Sequence, residues 1–457
     1  MPDVPMAEYI QFTSTPVKRA ERGSLSICRT AFHSKGDGGT APENYRKHQD
    51  SHIPIVDGRC GTGSPPLAPP VEIYHRAFAS FMCHARDEDR QPSGDIIRKT
   101  AELMDTASEI AFWTSSTKRT TAGHCIGVPI GFLGLAVMAI IEEKGEFGSS
   151  GEGSVQGSFS YIEHWVDQSQ EKLRKMSCCP TFIISIAGPW IVICGAIFTS
   201  DIIVQRLTDY IWLGRSRTID DDRVVRIARV FDALACAIES LKSFYINLEL
   251  FENENKRRRY FPLATSYVDN GRTVTFRYLK PLGRTDSSCV TFLAQREGHG
   301  AQVVVMFVER YGAAAHELLA SRGWAPKLLY YGPVWPGADG LPDPDCHPRR
   351  MVVMEYVQGR SKPYIPDGAR EVVRQAIALL HEHDMVHGDI RPPNILIEGD
   401  GDDGWGLRTK IIDFDWAGEA GKVHYPLNLS KGIRWPPNVV DYGLIDAAHD
   451  DEMVTQL

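Results

Sequence analysis

Apolar and polar positions change period several times along the chain. From Val71 to Met82 and from Asp95 to Met104, apolar residues recur at helical spacing, with Ser93 or Asp95 as a cap for the second run. Gly127 to Ile141 is apolar and runs into Glu142-Glu143-Lys144. After a Gly/Ser turn come Ser154-Val-Gln156 and an aromatic-rich helix, Phe159 to Val166. The uncharged stretch Pro180 to Thr199 is long enough to cross a bilayer. Gly188-Pro189 divides it, however, into two β-branched runs, Thr181–Ala187 and Trp190–Phe198. A buried hairpin is therefore expected rather than a membrane helix. Gln205 to Leu213 follows, and a helix from about Asp221 to Leu248 closes this region.

Past the charged run Glu252 to Arg259 the pattern turns to strands. Thr273–Leu279, Val290–Ala294 and Val303–Val308 precede a helix at about Ala313 to Arg322. Strands at Lys327–Tyr331 and Met351–Val357 follow. Asp367 to His383 reads as an amphipathic helix with Val372, Val373, Ala376, Ile377 and Leu380 on one face. Two short apolar strands, Ile395–Ile397 and Lys410–Ile412, flank the acidic glycine-rich turn Glu398 to Gly406, which lacks the bidentate Glu of a calcium loop. Residues 1 to 68 sustain no apolar period and are rich in Ser, Thr, Gly and Pro, so a disordered N-terminal tail is expected there. The domains then read as 69–252, mixed α/β; 253–259, linker; and 260–457, the strand-rich C-terminal domain.

Composition changes little. The 457 residues are 43% hydrophobic and 24% charged, ordinary for soluble chains, and the length suits two or three domains. A net charge of −8 gives no global electrostatic footprint for nucleic acid, which makes that partner unlikely while leaving a local patch open. The ten cysteines show no zinc spacing, and no apolar core follows Lys18, Arg19 and Arg22. Reduced thiols in an intracellular protein, cytoplasmic or nuclear, are expected, with no membrane partner.

The chemistry concentrates in Met385-Val-His-Gly-Asp-Ile-Arg-Pro-Pro-Asn-Ile-Leu-Ile397 and Ile411-Ile-Asp-Phe-Asp415. Asp389 and Asn394 stand five apart in a turn stiffened by Pro392 and Pro393, and the second strand delivers Asp413. These residues suggest converging oxygen ligands for magnesium plus one free carboxylate. They resemble the catalytic and metal-binding loops of the protein-kinase superfamily, H-x-D-x-x-x-x-N followed by D-F-x.

The resemblance implies an α+β fold in which a two-lobed kinase-like C-terminal domain with a shortened C-lobe follows the mixed α/β domain. It further implies ATP and magnesium as cofactors. Asp389 would take the acceptor proton, Arg391 would steady the transferred phosphoryl, and Asn394 and Asp413 would hold the metal. Gly283 would lie in a thin glycine loop, and Glu355 and Val357 would belong to an adenine-binding hinge beside Met354. Gly388 in place of Arg and Asp415 in place of the glycine of D-F-G are similar to the aminoglycoside and choline kinase branch. As a whole the chain looks like fungal kinase-domain proteins with a nuclease-like N-terminal region.

Three readings stay open. The first is an ATP- and magnesium-dependent phosphotransferase acting on a protein or small-molecule hydroxyl. The second is a pseudokinase that binds nucleotide or serves as a scaffold, because Met306 stands where the phosphate-binding Lys is expected and Glu317 is the sole acid of the following helix. The third is a metal-dependent nuclease through Glu142-x-Lys144, which resembles the restriction-endonuclease-like motif, against the plainer expectation of a solvated charged turn.

Overall fold

A computed structural model describes residues 42–50, 54–59, 68–108, 124–131, 134–144, 152–215, 221–248, 259–282, 290–298, 300–336, 349–399 and 404–457. The chain divides into two compact units, the first running to Ala264 and the second built from Thr265 onward. Both mix helices with sheets, an α+β composition.

The first unit contains α1 (Pro42–Gln49), β1 (Ile55–Val56), α2 (Val71–Tyr74), α3 (Arg76–Arg86), α4 (Gly94–Ala107), β2 (His124–Pro129) and β3 (Leu135–Lys144). It continues with α5 (Gly153–Val166), α6 (Glu171–Met176), β4 (Thr181–Ala187), β5 (Trp190–Phe198), β6 (Ile202–Arg206), β7 (Ile211–Trp212) and α7 (Asp221–Ile246). Its sheet runs β1-β6-β5-β4-β3-β2, with β7 beside β5. β3 and β4 are parallel, joined across α5, whereas β4 and β5 form the antiparallel hairpin read from Gly188-Pro189. Both hairpin strands are almost wholly buried by neighbours in the sheet and by helices. Among the described residues no helix is long and apolar enough to cross a membrane.

Three expectations need correction. The tail placed over 1–68 contains α1 and β1: the Gln49 side chain bonds both the carbonyl and the amide of Ile55, and β1 pairs with β6 in parallel. Burying Ile55 and Val56 on the sheet compensates for ordering a polar segment. The helix expected over Val71–Met82 breaks at His75, whose extended backbone lets its Nδ1 accept the Ala77 amide and start α3. At the boundary, 253–258 lie outside the described residues. Arg259, expected in a linker, is buried in the first unit, its guanidinium donating to the carbonyls of Arg174 and Thr199.

The second unit opens with an antiparallel sheet of β8 (Ser266–Asp269), β9 (Arg272–Pro281), β10 (Thr291–Arg296), β11 (Gln302–Val308), β12 (Leu328–Pro333) and β13 (Arg350–Glu355). Its order is β12-β13-β11-β10-β9-β8, and α8 (Ala313–Ser321) lies between β11 and β12 in sequence. β8 was not anticipated, although Asn270-Gly271, both at positive φ, is the strongest short hairpin signal.

The remainder comprises β14 (Gly359–Arg360), α9 (Asp367–His381), β15 (Met385–Val386), β16 (Ile395–Glu398), α10 (Trp405–Arg408), β17 (Thr409–Ile411), β18 (Gly418–Glu419) and α11 (Ala447–Thr455). α9 buries the predicted face, Val372, Val373, Ala376, Ile377 and Leu380. One core joins Val373, Ala376, Ile377 and Leu380 to Ile390, Ile395, Ile411, Phe414, Tyr425, Ile445, Met453 and Val454. The strands flanking the sequence motif are thus anchored from both sides.

Candidate functional site

β15 leads into the motif loop and pairs with β18. Gly388 has φ +80°, and a Cβ there would lie 2.9 Å from Ile445 Cδ1, so glycine suits both the backbone and the space. The amides of His387 and Gly388 donate to the two carboxylate oxygens of Asp450, at 2.7 and 2.8 Å. Asp450 is fully buried on α11 and lies 3.6 Å from His381 Nε2 on α9. The Asp450 carboxylate beside it raises the His381 pKa above its ordinary value. Sequence reasoning missed Asp450: it is 63 residues from its partner, and nothing in its local pattern marks it for burial.

The loop then presents Asp389, Arg391 and Asn394 together. Arg391 donates from Nε to Asp389 Oδ1 at 2.6 Å and from Nη2 to Oδ2 at 2.9 Å, a bidentate fork. Asn394 Nδ2 donates to the Asp389 carbonyl at 3.0 Å and to its Oδ2 at 2.7 Å. Asp389 is 3% exposed, so its carboxylate is charge-paired rather than solvated. Oδ1 carries one of these bonds and retains a lone-pair direction for a further donor. The Pro392–Asn394 turn is a single 3-10 helix with proline at its start, which fixes the Asp–Asn spacing.

Asp413 follows β17 and adopts φ +70°, unusual for a non-glycine residue. The Ile412 amide donates to the Asn394 carbonyl at 3.0 Å, which ties the two acidic segments together. Burial raises the Asp413 pKa, and the Asp389 carboxylate adds to the shift. Asp415 is pushed up to about 7 by burial and by the charge of Asp413, and its Oδ1 is buried without a hydrogen-bond partner. Between them Phe414 stacks on His316 at 4.5 Å, while Tyr311 bonds His316 Nδ1 at 2.6 Å. The Gly312 amide donates to the Phe414 carbonyl, so α8 begins on this segment. Burial lowers His316 to about 4, which keeps the stacked ring neutral at physiological pH.

The donor set is all oxygen and suits a hard cation. Asp413 lies in the field of the Asp389 carboxylate and Asp415 keeps an orphaned oxygen; the Asp413 carboxylate and the Asn394 amide oxygen would face magnesium. No group of three or more His, Cys, Asp or Glu is preset to hold a metal among the described residues. That is compatible with a cation that takes only one or two protein carboxylates and fills its sphere with phosphate and water.

On the nucleotide side the expected residues are more dispersed. Glu355 ends β13 and is exposed, and the half-buried Val357 follows before β14. The Glu355 amide bonds the Lys327 carbonyl and the Tyr356 amide bonds that of Gln302, which pins this connection to the sheet. Gly283 lies outside the described residues. Met306 sits in β11 opposite Thr291 and Val352 and packs on the buried trio Val308, Val352 and Met354. Glu317 is exposed on α8, whose buried positions are Ala315, His316 and Leu319.

In the first unit Glu142 and Lys144 are buried at the end of β3, at 2% and 4% exposure, which corrects the expectation of a solvated turn. Parallel pairing with β4 and the cover of α5 enclose them, and Ser160 Oγ donates to Glu142 at 2.6 Å. Ser154, Gln156 and Phe159 belong to the one helix α5. Burial raises the Glu142 pKa.

No family model matches the chain. Among curated proteins it is similar to the serine/threonine-protein kinase PknA of Corynebacterium glutamicum, 37% identical over 94 residues. That match covers 18% of this chain and spans 19% of the relative's length. Over that stretch the chain is kinase-like.

Proposed function

We propose that the second unit is a kinase-like phosphotransferase that moves the γ-phosphoryl of ATP, with magnesium, onto a hydroxyl. The observation that carries this reading is the Asp389–Arg391–Asn394 constellation, held by Asp450 and tied through Ile412 to Asp413. In this reading the sheet and the part after Glu355 act as two lobes around the nucleotide, and Glu355 to Val357 is the hinge. Asp389 Oδ1 accepts the proton of the acceptor hydroxyl, whose oxygen forms a bond to the γ-phosphorus. The bond from that phosphorus to the β–γ bridging oxygen breaks, and ADP leaves. Arg391 keeps Asp389 oriented and brings positive charge to the transferred group. Asn394 and Asp413 would hold magnesium, which neutralises phosphate oxygens when bound.

A second reading is favoured by one observation. Met306 places a thioether and no cation on the inner strand, and the exposed Glu317 offers no partner there. A unit of this kind would bind nucleotide as a pseudokinase without transferring phosphoryl. Two measurements separate the readings. Magnesium and ATP should raise the melting temperature of the full chain, since a ligand of the native state stabilises it by mass action. Asp389→Asn should keep that shift and abolish ATP-dependent phosphoryl transfer. A shift without transfer in the wild type identifies the nucleotide-binding module, and no shift at millimolar nucleotide overturns both.

A further inference from the structure

A cavity of about 170 Å³ opens directly beside Asp389. Its lining includes Asp389, Arg391 and Pro392 of the motif loop together with Arg434, Trp435 and Met453. We infer that this cavity receives the phosphoryl acceptor, and that the acceptor is a small hydroxyl compound carrying a carboxylate or phosphate. The inference rests on the phosphotransferase reading for the purpose of the site, but its recognition chemistry is independent of catalysis.

Charge points to an oxyanion. Within the lining, the Asp389 carboxylate is already matched by the Arg391 fork and Asn394. Arg434 is exposed, and none of the described residues forms an ion pair with it. The cavity therefore offers one uncommitted guanidinium within a chain whose net charge is −8. A planar fork of N–H donors matches carboxylate and phosphate geometry. A cationic alcohol would meet two arginines beside an Asp389 carboxylate that Arg391 already pairs.

The other walls set size and shape. Trp435 is half-buried and its Nε1–H donates to the Ser430 carbonyl at 3.0 Å. Its ring packs near Trp416 and Tyr425, with centroids 5.9 and 6.2 Å away, so it presents a fixed apolar face. Met453 of α11, 5% exposed, also lines the cavity. The volume falls below the range typical of drug-sized ligands, roughly 300–1,000 Å³, which suits one ring or a short chain and no multi-ring compound. An extended peptide is recognised through a sheet edge or a long groove, whereas no strand residue lines this cavity.

The test is a ligand-observed NMR titration of the full chain with four probes of one skeleton, without nucleotide. They are 4-hydroxycyclohexanecarboxylate, 4-hydroxycyclohexyl phosphate, cyclohexane-1,4-diol and 4-aminocyclohexanol. The two anions should bind about tenfold more tightly than the diol, the gain of a charge-assisted contact. The amino alcohol should bind most weakly, and the order of the two anions identifies which oxyanion the site prefers. Arg434→Gln should bring both anions to the level of the diol, and Arg434→Glu should favour the amino alcohol. Because Arg434 is exposed, both variants should fold. Equal affinity for all four probes, no binding of any, or anion binding unchanged in Arg434→Gln overturns the inference. Faster phosphoryl transfer to casein than to either anion also overturns it. Anion binding as described, without any ATP turnover, supports the cavity's recognition chemistry and counts against the phosphotransferase reading alone.

Discussion

Asp450→Asn is the sharpest test of how the motif loop is held. The wild-type carboxylate is wholly buried and accepts from two backbone amides at 2.7 and 2.8 Å. Asparagine keeps one acceptor and turns an NH2 toward the second amide, which leaves that N–H unsatisfied. A hydrogen bond to a charged group contributes about 1.5–3 kcal/mol, and an orphaned buried donor costs about 1–3 kcal/mol. The variant should therefore lose about 3 kcal/mol, a large share of the ~5–15 kcal/mol typical of a domain. His381 adds a pH signature. Its pKa is raised by Asp450, so this contribution is full below 6.5 and is lost as pH rises through the raised value. The penalty of Asp450→Asn should accordingly shrink from pH 6 towards alkaline pH. The assay is chemical denaturation with amide hydrogen exchange, read separately for the two units because their transitions need not coincide. Exchange at His387 and Gly388 should accelerate by about a hundredfold, the equivalent of ~3 kcal/mol. A loss below about 0.5 kcal/mol, within the range of ordinary surface changes, together with unchanged exchange would refute the reasoning.

Gly388→Ala should destabilise the second unit by about 1–3 kcal/mol, because φ +80° is costly for any residue with a Cβ; a neutral effect in thermal melts would show that the loop relaxes freely. Met306→Lys should lower unliganded stability by about 1–2 kcal/mol by setting an ammonium against Val308, Val352 and Met354, while enlarging the melting shift with magnesium and ATP. No larger shift would mean that β11 does not face the phosphates. Asp415→Asn concerns a carboxyl pushed up to about 7, whose stabilising contribution is present below 3.8 and lost as pH rises through 7. The variant's stability relative to wild type should rise between pH 4 and pH 7 and level off above; a pH-independent difference would contradict that account.

Much of the local structure was legible from pattern alone. The hairpin of β4 and β5, the amphipathic α9 and the strands flanking Asp389 and Asp413 all follow from periods of two and 3.6 residues and from Gly/Pro punctuation. The candidate site was legible in its loop as well, because Asp389, Arg391 and Asn394 lie within six residues and a proline-stiffened turn sets their geometry. Nucleotide-side residues were read more by order than by chemistry, and Gly283 lies outside the described residues.

What the sequence by itself determined was therefore short-range: element types, the motif loop and the apolar faces that had to be buried. Tertiary structure alone decided what those elements meet. Ile55 joins a sheet through a strand more than 140 residues away, and Arg259 is drawn into the first unit by two carbonyls. Glu142 and Lys144 are enclosed because β4 pairs in parallel beside them. Asp450 reaches the loop across 63 residues. For the last three the physical reason is the same. A polar or charged side chain carries no periodic signal of its burial, and its partner is chosen by chain folding rather than by neighbouring residues.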